Sequence, residues 1–339
     1  MPTWMIRGEK GRLYDTFREQ EMVAIGWPEI AADVRPEMPR EAIATLYQTR
    51  VPRLSWPSAY AGASQIWRFM NEIAVGDGVI TYSPGNRTYL KGEVIGAPSY
   101  NAETADQGLA LLRRVRWREL EIARDRLSTR SRNSLGSTLT IFRLPDDVAD
   151  ELERLIQLPD SVAEEQTHID SPDLDTLADA AQISALDGVQ AQALERVKDI
   201  VVNLSWDEMQ ELVAGILRAM GYKTQISPPG PDRGRDIVAS PDGFGFEHPR
   251  IVVEVKHRSG QVNSQTIRGF IGGRHPDDRG LFVSTGGFTK DAKYEADRSS
   301  VPLALWDADT LVRTLIDHYQ ATDSETKRLV PLKRIYVPA

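Results

Sequence analysis

The stretch that decides the fold of the C-terminal part of this chain is Ile251-Val252-Val253-Glu254-Val255-Lys256. Its run of β-branched residues predicts a strand, and residues two apart on a strand share a face. Glu254 and Lys256 therefore point to one side, whereas Val253 and Val255 point to the other side, towards a core. Packing alone does not place an acid and a lysine side by side on a strand that valines flank.

A second acid precedes this strand. Asp236 lies eighteen residues before Glu254 and follows a loop rich in proline and glycine, residues 228–235. Two carboxylates can hold a hard divalent ion such as Mg²⁺ through oxygen, and such an ion stabilises charge on a scissile phosphate. A lysine nearby can orient or deprotonate the attacking water. The triplet by itself also fits an exposed strand that carries an ordinary ion pair.

The elements around the triplet predict a mixed sheet flanked by helices. Ser205-Trp206-Asp207-Glu208 has the pattern of a helix capping box, and apolar residues follow it at helical spacing as far as Gly221. Strands are predicted at 236–239, 251–256 and 280–284, and helices at about 263–273 and 289–298 separate the later ones. The predicted order is α-β-β-α-β-α-β-α.

The N-terminal part, 1–156, has a different pattern of short strands and turns. Strand-like runs lie at 4–7, 78–82 and 89–95, and a strong turn signal, Ser83-Pro84-Gly85-Asn86-Arg87, separates the last two. This pattern predicts a small β-barrel or curled sheet with a few helices. The predicted organisation is therefore a β domain at 1–156, a linker at 157–195, an α/β domain at 196–320 and a C-terminal tail at 321–339.

Composition limits the possible functions. The chain has 339 residues, which favours two domains, and the lack of cysteine excludes disulfides, cysteine-ligated zinc and thiol nucleophiles. It has no run of 18 apolar residues and no apolar stretch at its start, so we expect a cytoplasmic protein without a membrane partner. The net charge of −8 argues against DNA binding. However, 157–195 holds nine acids and no lysine or arginine, so much of this excess is local.

The region from about 204 to 319 resembles the Mrr-type restriction endonuclease catalytic domain of the PD-(D/E)xK nuclease superfamily. The motifs that carry the resemblance are, in order, Met220-Gly221-Tyr222, Asp232-Arg233-Gly234-Arg235-Asp236, Glu254-Val255-Lys256, the run 262–269, Val283-Ser284-Thr285-Gly286-Gly287-Phe288-Thr289 and Leu303-Ala304-Leu305-Trp306-Asp307. The resemblance implies that Asp236 and Glu254 bind Mg²⁺, or Mn²⁺ in its place, and that Lys256 is the catalytic lysine.

Other positions are assigned through the same resemblance. Many relatives have glutamine where Glu254 stands, and many have a glutamate in the first helix where Gln210 aligns. The amide oxygen of Gln210 could orient a water at the metal, so Gln210 is a candidate catalytic residue. Gln265 and Ser284-Thr285 lie in shared motifs, and contact with DNA is as good an interpretation of them as packing or turn formation. We retain Gln265 as a candidate DNA contact.

The N-terminal part resembles EVE-like and PUA-like domains, curled β folds whose relatives read modified bases in nucleic acids. Five of the seven tryptophans lie in the first 117 residues. Aromatic side chains can stack on a base taken out of the duplex, although large aromatics also fill small β cores. The candidates for base stacking are Trp27 and Trp56, which lie beside prolines in loop-like sequence, and Tyr82, near a strand end.

Eight arginines crowd the run 113–132, where only three acids interrupt them. They are Arg113, Arg114, Arg116, Arg118, Arg124, Arg126, Arg130 and Arg132. A solvated helix face and a stripe that contacts DNA phosphates both fit this pattern. Arg113 and Arg116 are the candidates for phosphate contact.

The sequence thus predicts a type IV-like restriction endonuclease that binds double-stranded DNA with a modified base and cuts it with Mg²⁺. Because one such site cuts one strand, we expect a homodimer with contacts through the nuclease part. A structure-specific repair nuclease is the alternative enzyme, and a nucleic-acid binding protein with an inactive nuclease fold is the alternative from another class.

Overall fold

The computed structural model describes residues 1–136, 139–157, 185–227, 236–257, 260–275 and 277–334. The chain divides into two units, one formed by Met1–Pro84 and Thr88–Ala193, the other by Gly85–Arg87 and Leu194–Ala339. Most of the predicted linker and the loop 228–235 before Asp236 lie outside the described residues. None of the helices in the described part combines the length and apolar character that a membrane crossing requires.

The first unit is built on one seven-stranded sheet in which β1 and β3 are parallel and the other pairs are antiparallel. Its strands are β1 Thr3–Ile6, β2 Met22–Ile25, β3 Gly78–Ser83, β4 Thr88–Val94, β5 Ser99–Tyr100, β6 Leu111–Ala123 and β7 Ile141–Arg143. Its helices are α1 Tyr14–Glu19, α2 Arg40–Arg50, α3 Trp56–Trp67, α4 Thr129–Ser134 and α5 Asp146–Gln157, with short 3₁₀ or π turns at Gly8–Gly11, Arg68–Glu72, Ala105–Gln107 and Arg124–Arg126.

The long strand β6 gives this sheet its curl. Its beginning pairs with β2 and β5, its remainder pairs with β4, and the register with β4 shifts between Leu90 and Gly92. Such a shift bends a strand and increases its twist. The strand order runs from β2 through β6, β4, β3 and β1 to β7. Closure into the predicted PUA-like or EVE-like barrel is not established by this order and stays a prediction.

Both faces of the first sheet are covered. Trp4 and Ile6 of β1 point into one apolar cluster, and Met5 between them points into another. The first cluster includes Ile66 and Phe69 from α3 and the turn after it, and the second includes Leu152 of α5. Strand β1 is therefore buried on both sides, at every one of its positions.

The second unit contains the mixed sheet that the sequence predicts. The strand order is β12-β11-β10-β9-β8, with β10, β11 and β12 parallel and β8, β9 and β10 antiparallel. The strands are β8 Lys223–Ile226, β9 Ile237–Ser240, β10 Arg250–Lys256, β11 Asp278–Ser284 and β12 Leu303–Asp307. The helices are α6 Ala185–Val202, α7 Trp206–Ala219, α8 Ser264–Gly272, α9 Lys290–Asp297, α10 Ala308–His318 and α11 Ser324–Leu329.

Helix α7 begins at the capping box that the sequence predicts. The Glu208 backbone N–H donates to the Ser205 hydroxyl at 3.3 Å, and the Ser205 N–H donates to the Glu208 carboxylate at 2.8 Å. Apolar residues of α7 and α10 pack with Val253, Val255 and Ile237 on one face of the sheet. Phe282 packs on the other face with apolar residues of α8 and α9.

Two parts of this unit differ from the prediction. Strand β8 is absent from the predicted order, because its four residues are polar or exposed and give no apolar alternation. Residues 321–339 were expected to be a tail, but Leu329 and Val330 are buried in the core that α7 lines. The second unit therefore extends beyond residue 320.

Candidate active site

Strand pairing brings the two acids together. In the antiparallel pair of β9 and β10, Val253 lies opposite Ile237 and Val252 lies opposite Val238. Asp236 directly precedes Ile237, and its N–H donates to the Val253 carbonyl at 2.9 Å. Asp236 therefore lies against the part of β10 that carries Glu254.

The candidate catalytic residues face away from the main core. Because Val253 and Val255 pack into the core with α7, Glu254 and Lys256 share the opposite face of the sheet. Both acids are largely buried, each with 8% of its surface exposed. The Lys256 ammonium lies 2.9 Å from a Glu254 carboxylate oxygen, and 33% of the lysine side chain remains exposed.

The backbone of β10 holds Asp236 in place. One carboxylate oxygen of Asp236 accepts a hydrogen bond from the Val255 N–H at 2.5 Å. This bond ties the acid to the strand that carries Glu254 and Lys256, so the three side chains are positioned by one hairpin.

Strand β11 completes one side of the site. In the parallel pairing of β10 and β11, Phe282 lies beside Glu254 and Ser284 lies beside Lys256. Ser284 is 1% exposed, and its buried hydroxyl has no hydrogen-bond partner in the described part of the chain. Burial of a polar atom without a hydrogen-bond partner lowers the free energy of unfolding. The Ser284 hydroxyl faces the same side of the sheet as Lys256.

The residues present fit a magnesium ion. The two carboxylates supply oxygen ligands, and Mg²⁺ in proteins is commonly held by one or two carboxylates while it keeps several waters. Among the described residues no group of three or more histidine, cysteine, aspartate or glutamate side chains is placed to hold a metal. Asp236 and Glu254 therefore suit an ion that leaves positions for water and phosphate, and the unpartnered Ser284 hydroxyl can bond to either.

Gln210 lies in the interior of the second unit. It is on α7, which packs against β8 and β9, and only 3% of its surface is exposed. Its side-chain amide nitrogen is buried and has no hydrogen-bond partner among the described residues. Helix α7 packs on the face of the sheet that carries Val253 and Val255, the face opposite to Glu254 and Lys256, and the catalytic role of Gln210 stays a prediction.

His257 points away from the acids, as the alternation of β10 predicts. Its Nε2 lies 2.6 Å from the Leu204 carbonyl oxygen, and its Nδ1 lies 3.3 Å from the Thr285 hydroxyl. Leu204 precedes the capping box of α7, so His257 links the end of β10 to the start of that helix. Its contacts assign it a structural role.

In the first unit, Trp27 and Trp56 are the predicted stacking residues that reach the surface. Trp56 begins α3 and is 43% exposed, with its ring centroid 6.4 Å from that of Tyr60. Trp27 is half-buried in the loop after β2 and has a φ of +62°. A bulky residue rarely adopts this left-handed conformation, and such strain is often found at binding sites.

Two of the other predicted contacts are buried, which corrects their assignment. Tyr82 is 3% exposed, and its ring stacks on Tyr89 at a centroid distance of 4.6 Å. Arg113 is 2% exposed, and its guanidinium donates to the Phe69 carbonyl at 2.9 Å and the Gly96 carbonyl at 3.2 Å. Burial lowers the pKa of Arg113 to about 10. Neither side chain is presented to DNA in this structure.

The arginine run does not form one helix face or one continuous stripe. Its first part is strand β6, where Arg116 faces outwards with its side chain 70% exposed, 3.7 Å from Glu93. Arg124 is buried and donates to the Tyr89 hydroxyl at 2.8 Å, and Arg118 is paired with Glu153 at 2.8 Å. Arg116 therefore remains available as a phosphate contact.

The other predicted DNA contact, Gln265, lies in the second unit. It is exposed in the first turn of α8, which begins at the Asn263 cap. Its exposure is compatible with a DNA contact, and the predicted role stays a prediction.

Comparison with protein families supports the nuclease prediction for the second unit. Residues 201–315 match the Mrr catalytic family, described as restriction endonuclease. This match confirms the family predicted for that region. Residues 4–145 match a family described as a domain of unknown function, so the EVE-like assignment of the first unit stays a prediction.

Two named relatives match part of the chain. The type IV methyl-directed restriction enzyme EcoKMrr of Escherichia coli strain K12 is 27% identical over 183 residues, which cover 49% of this chain and 58% of that protein. The uncharacterised protein y4cE of Sinorhizobium fredii is 27% identical over 106 residues, 30% of this chain and 27% of that protein. The chain thus spans little more than half of the first relative and about a quarter of the second.

Two restriction endonucleases of known structure show a distant likeness. The first, MspJI in complex with a 27-mer oligonucleotide, aligns with 87% of this chain and 69% of its own at 11% identity and a TM-score of 0.30. The second, the DNA modification-dependent restriction endonuclease AspBHI, aligns with 88% of this chain and 76% of its own at 14% identity and a TM-score of 0.31. At these TM-scores the likeness does not establish a common fold.

Proposed function

We propose that this chain is a modification-dependent DNA endonuclease that uses Mg²⁺ to hydrolyse phosphodiester bonds. The observation that carries the proposal is the hydrogen bond from the Val255 N–H to the Asp236 carboxylate, which joins this acid to the strand on which Lys256 lies 2.9 Å from Glu254. The match of 201–315 to restriction endonucleases supports phosphodiester hydrolysis as the reaction of this site. Double-stranded DNA with a modified base is the proposed substrate.

The residues of the site divide the work between binding and proton transfer. Asp236 and Glu254 would hold Mg²⁺, which neutralises charge on the scissile phosphate and makes water more acidic. Lys256 lies beside Glu254 and can orient the attacking water or stabilise the charge that develops on the phosphate. Phe282 beside Glu254 limits water on that side, and a low local dielectric strengthens each charge interaction.

The first test is cleavage. The purified chain should cut a plasmid that carries modified bases in the presence of Mg²⁺ and should leave the matched unmodified plasmid intact. Asp236→Ala, Glu254→Ala and Lys256→Ala should each abolish cutting while the fold and DNA binding persist. Wild-type rates in all three folded variants would contradict the site, whereas a wild type that cuts neither plasmid would support the inactive-fold alternative.

The second test concerns selection of the substrate, which we assign to the first unit. The cleavage-deficient Asp236→Ala protein should bind a modified duplex more tightly than an unmodified duplex across a salt titration, because stacking on a base is less dependent on salt than phosphate contacts are. Trp56→Ala in that background should remove most of the preference. Equal binding of both duplexes would instead favour the structure-specific repair nuclease.

A further inference from the structure

The loop between β9 and β10, residues 241–249, exposes two aromatic rings. Phe244 is 76% exposed and Phe246 is 84% exposed, the two largest exposures among phenylalanines in the described part of the chain. Their rings stack on each other with centroids 6.1 Å apart and an interplanar angle of 20°. Exposure of two adjacent phenylalanine rings to water costs free energy, and exposed apolar patches commonly mark interaction sites.

This loop has a defined structure of its own. One carboxylate oxygen of Asp242 accepts from the Phe244 and Gly245 N–H groups at 3.1 and 3.0 Å, and the other accepts from the Phe246 and Glu247 N–H groups at 3.1 and 3.3 Å. The Ser240 hydroxyl donates to Asp242 at 2.8 Å. The loop therefore holds both rings outwards by specific bonds, and their exposure is a property of the folded unit.

The charges around the rings do not suit DNA. The loop itself contributes the carboxylates of Asp242 and Glu247, and Asp278 accepts from Arg250 at 2.6 Å at its base. Among the described residues, Lys223 and Arg250 lie against the loop glycines, and since Arg250 is paired with Asp278, Lys223 is left to offset the loop's acids. Surfaces that contact phosphates are strongly positive, whereas aromatic residues with few net charges are typical of the centre of protein interfaces.

An edge strand lies beside the rings. Strand β8 is the last strand of its sheet, so no strand in the described residues pairs with its outer side. The Gln225 side chain of β8 donates to the Gly243 carbonyl at 2.7 Å, which joins the edge to the loop. Ile226 at the end of β8 is 37% exposed. Exposed edges of this kind can pair with another chain.

We propose that Phe244, Phe246 and the outer edge of β8 form a self-association surface that binds the same surface of a second copy of this chain. A two-fold axis brings a patch onto itself, and an edge strand can run antiparallel to its own copy. Two phenylalanines bury roughly 300–400 Å² per copy, about half of the roughly 800 Å² that each partner contributes to a standard interface. The edge of β8 and its side chains supply the remainder.

The dimer gives the proposed function a way to cut both strands, and this consequence rests on that function. One copy carries one Asp236–Glu254–Lys256 site, so a concerted double-strand break requires two copies. The association itself needs neither DNA nor Mg²⁺. It can therefore be measured even if the chain has no nuclease activity, and failure of one proposal does not decide the other.

The test compares association of the full chain and its variants by light scattering and sedimentation velocity, without DNA, from about 1 to 100 μM. The wild type should form a dimer. Phe244→Ser with Phe246→Ser should raise the dissociation constant about 100-fold or more, since a buried aromatic anchor is commonly worth about tenfold or more. Tyr294→Ser, a control at a ring 60% exposed elsewhere in the unit, should associate as the wild type does.

A second variant tests whether association needs the conformation of the loop as well as its two aromatic rings. Asp242→Ala keeps both phenylalanines but removes the four backbone bonds that orient them, so it should also weaken association by about tenfold. Thermal unfolding of the phenylalanine and tyrosine variants should match that of the wild type, because their altered side chains are exposed. A wild-type monomer at every concentration, or a Phe244→Ser/Phe246→Ser protein as dimeric as the wild type, would overturn the proposal. Lost DNA affinity with unchanged association would show instead that the loop binds DNA.

Discussion

Asp236→Asn removes one proposed cation ligand and leaves the shape of the side chain unchanged. The asparagine side-chain oxygen can still accept the Val255 N–H bond, which is 2.5 Å long in the wild type. The hairpin of β9 and β10 should therefore keep its geometry. The loss of one negative charge, however, leaves the ion with Glu254, whose carboxylate is already paired with Lys256.

The expected effect of Mg²⁺ on stability follows from linkage. An ion that binds the folded state alone stabilises it by RT ln(1 + [L]/Kd), which is about 1.8 kcal/mol when free Mg²⁺ is about 20 times Kd. For a unit of this size, that corresponds to a rise of about 4–7 °C in the unfolding midpoint. Differential scanning calorimetry should show this rise for the second unit of the wild type and only a small one for Asp236→Asn.

The matched control is Asp317→Asn, which removes an exposed acid from α10 in the same unit. Its response to Mg²⁺ should equal that of the wild type, and the response of every protein should disappear with a chelator. If Asp236→Asn and the wild type respond equally to Mg²⁺, the ion does not bind between β9 and β10, and the assignment of Asp236 as a ligand is refuted.

Three further predictions concern single residues. Lys256→Met should lower cleavage by about 100-fold or more but keep the Mg²⁺-dependent rise in midpoint; loss of that rise would make the lysine part of the ion site. Ser284→Ala should leave folding stability unchanged or raise it by up to about 1 kcal/mol, because it removes a buried hydroxyl without a partner, and should slow cleavage about tenfold; unchanged cleavage would show that Ser284 only packs. Trp56→Ala should weaken binding of modified DNA about tenfold without changing the midpoint, whereas Tyr82→Ala should cost about 3–5 kcal/mol of folding stability; calorimetry and binding isotherms of the two variants check this contrast.

The catalytic strand could be predicted because its pattern is local. Val253 and Val255 alternate with Glu254 and Lys256, and a strand of period two is enough to place the charged pair on one face. The position of Asp236 against β10 could not be derived in the same way, because it depends on which residues of β9 and β10 pair and on the hydrogen bond from the Val255 N–H to the Asp236 carboxylate.

Tyr82 and Arg113 were misassigned for a physical reason that the sequence does not reveal. Each lies on a strand of the first sheet, and both faces of that sheet are covered by apolar clusters. Where a strand is covered on both faces, neither alternating set of its side chains faces water, so a tyrosine or an arginine can be buried. Arg113 is accommodated because backbone carbonyls accept its hydrogen bonds, a contact set by residues more than 15 positions away.

Elements at the edge of the second unit were missed because their residues are mostly polar. Strand β8 has no buried position in its pattern, so periodicity gives no signal. Helix α11 reads Ser-Glu-Thr-Lys-Arg-Leu, and only its last residue indicates burial. It packs on α7 at Gly215, where an added Cβ would lie 1.9 Å from the Thr326 hydroxyl oxygen. Such close approaches become visible only when two helices are placed together.

The register of β9 and β10 also limits how this chain can diverge. Insertion of one residue within β10 between Val253 and Lys256 would turn every later side chain to the opposite face, so the lysine would enter the core and a valine would face the acids. Insertions in the loop of 241–249 leave that alternation intact. We therefore expect homologues of this chain to vary in length at the loop and to keep a constant length across β10. Such a pattern of gaps in a sequence alignment would identify the catalytic strand without any assay.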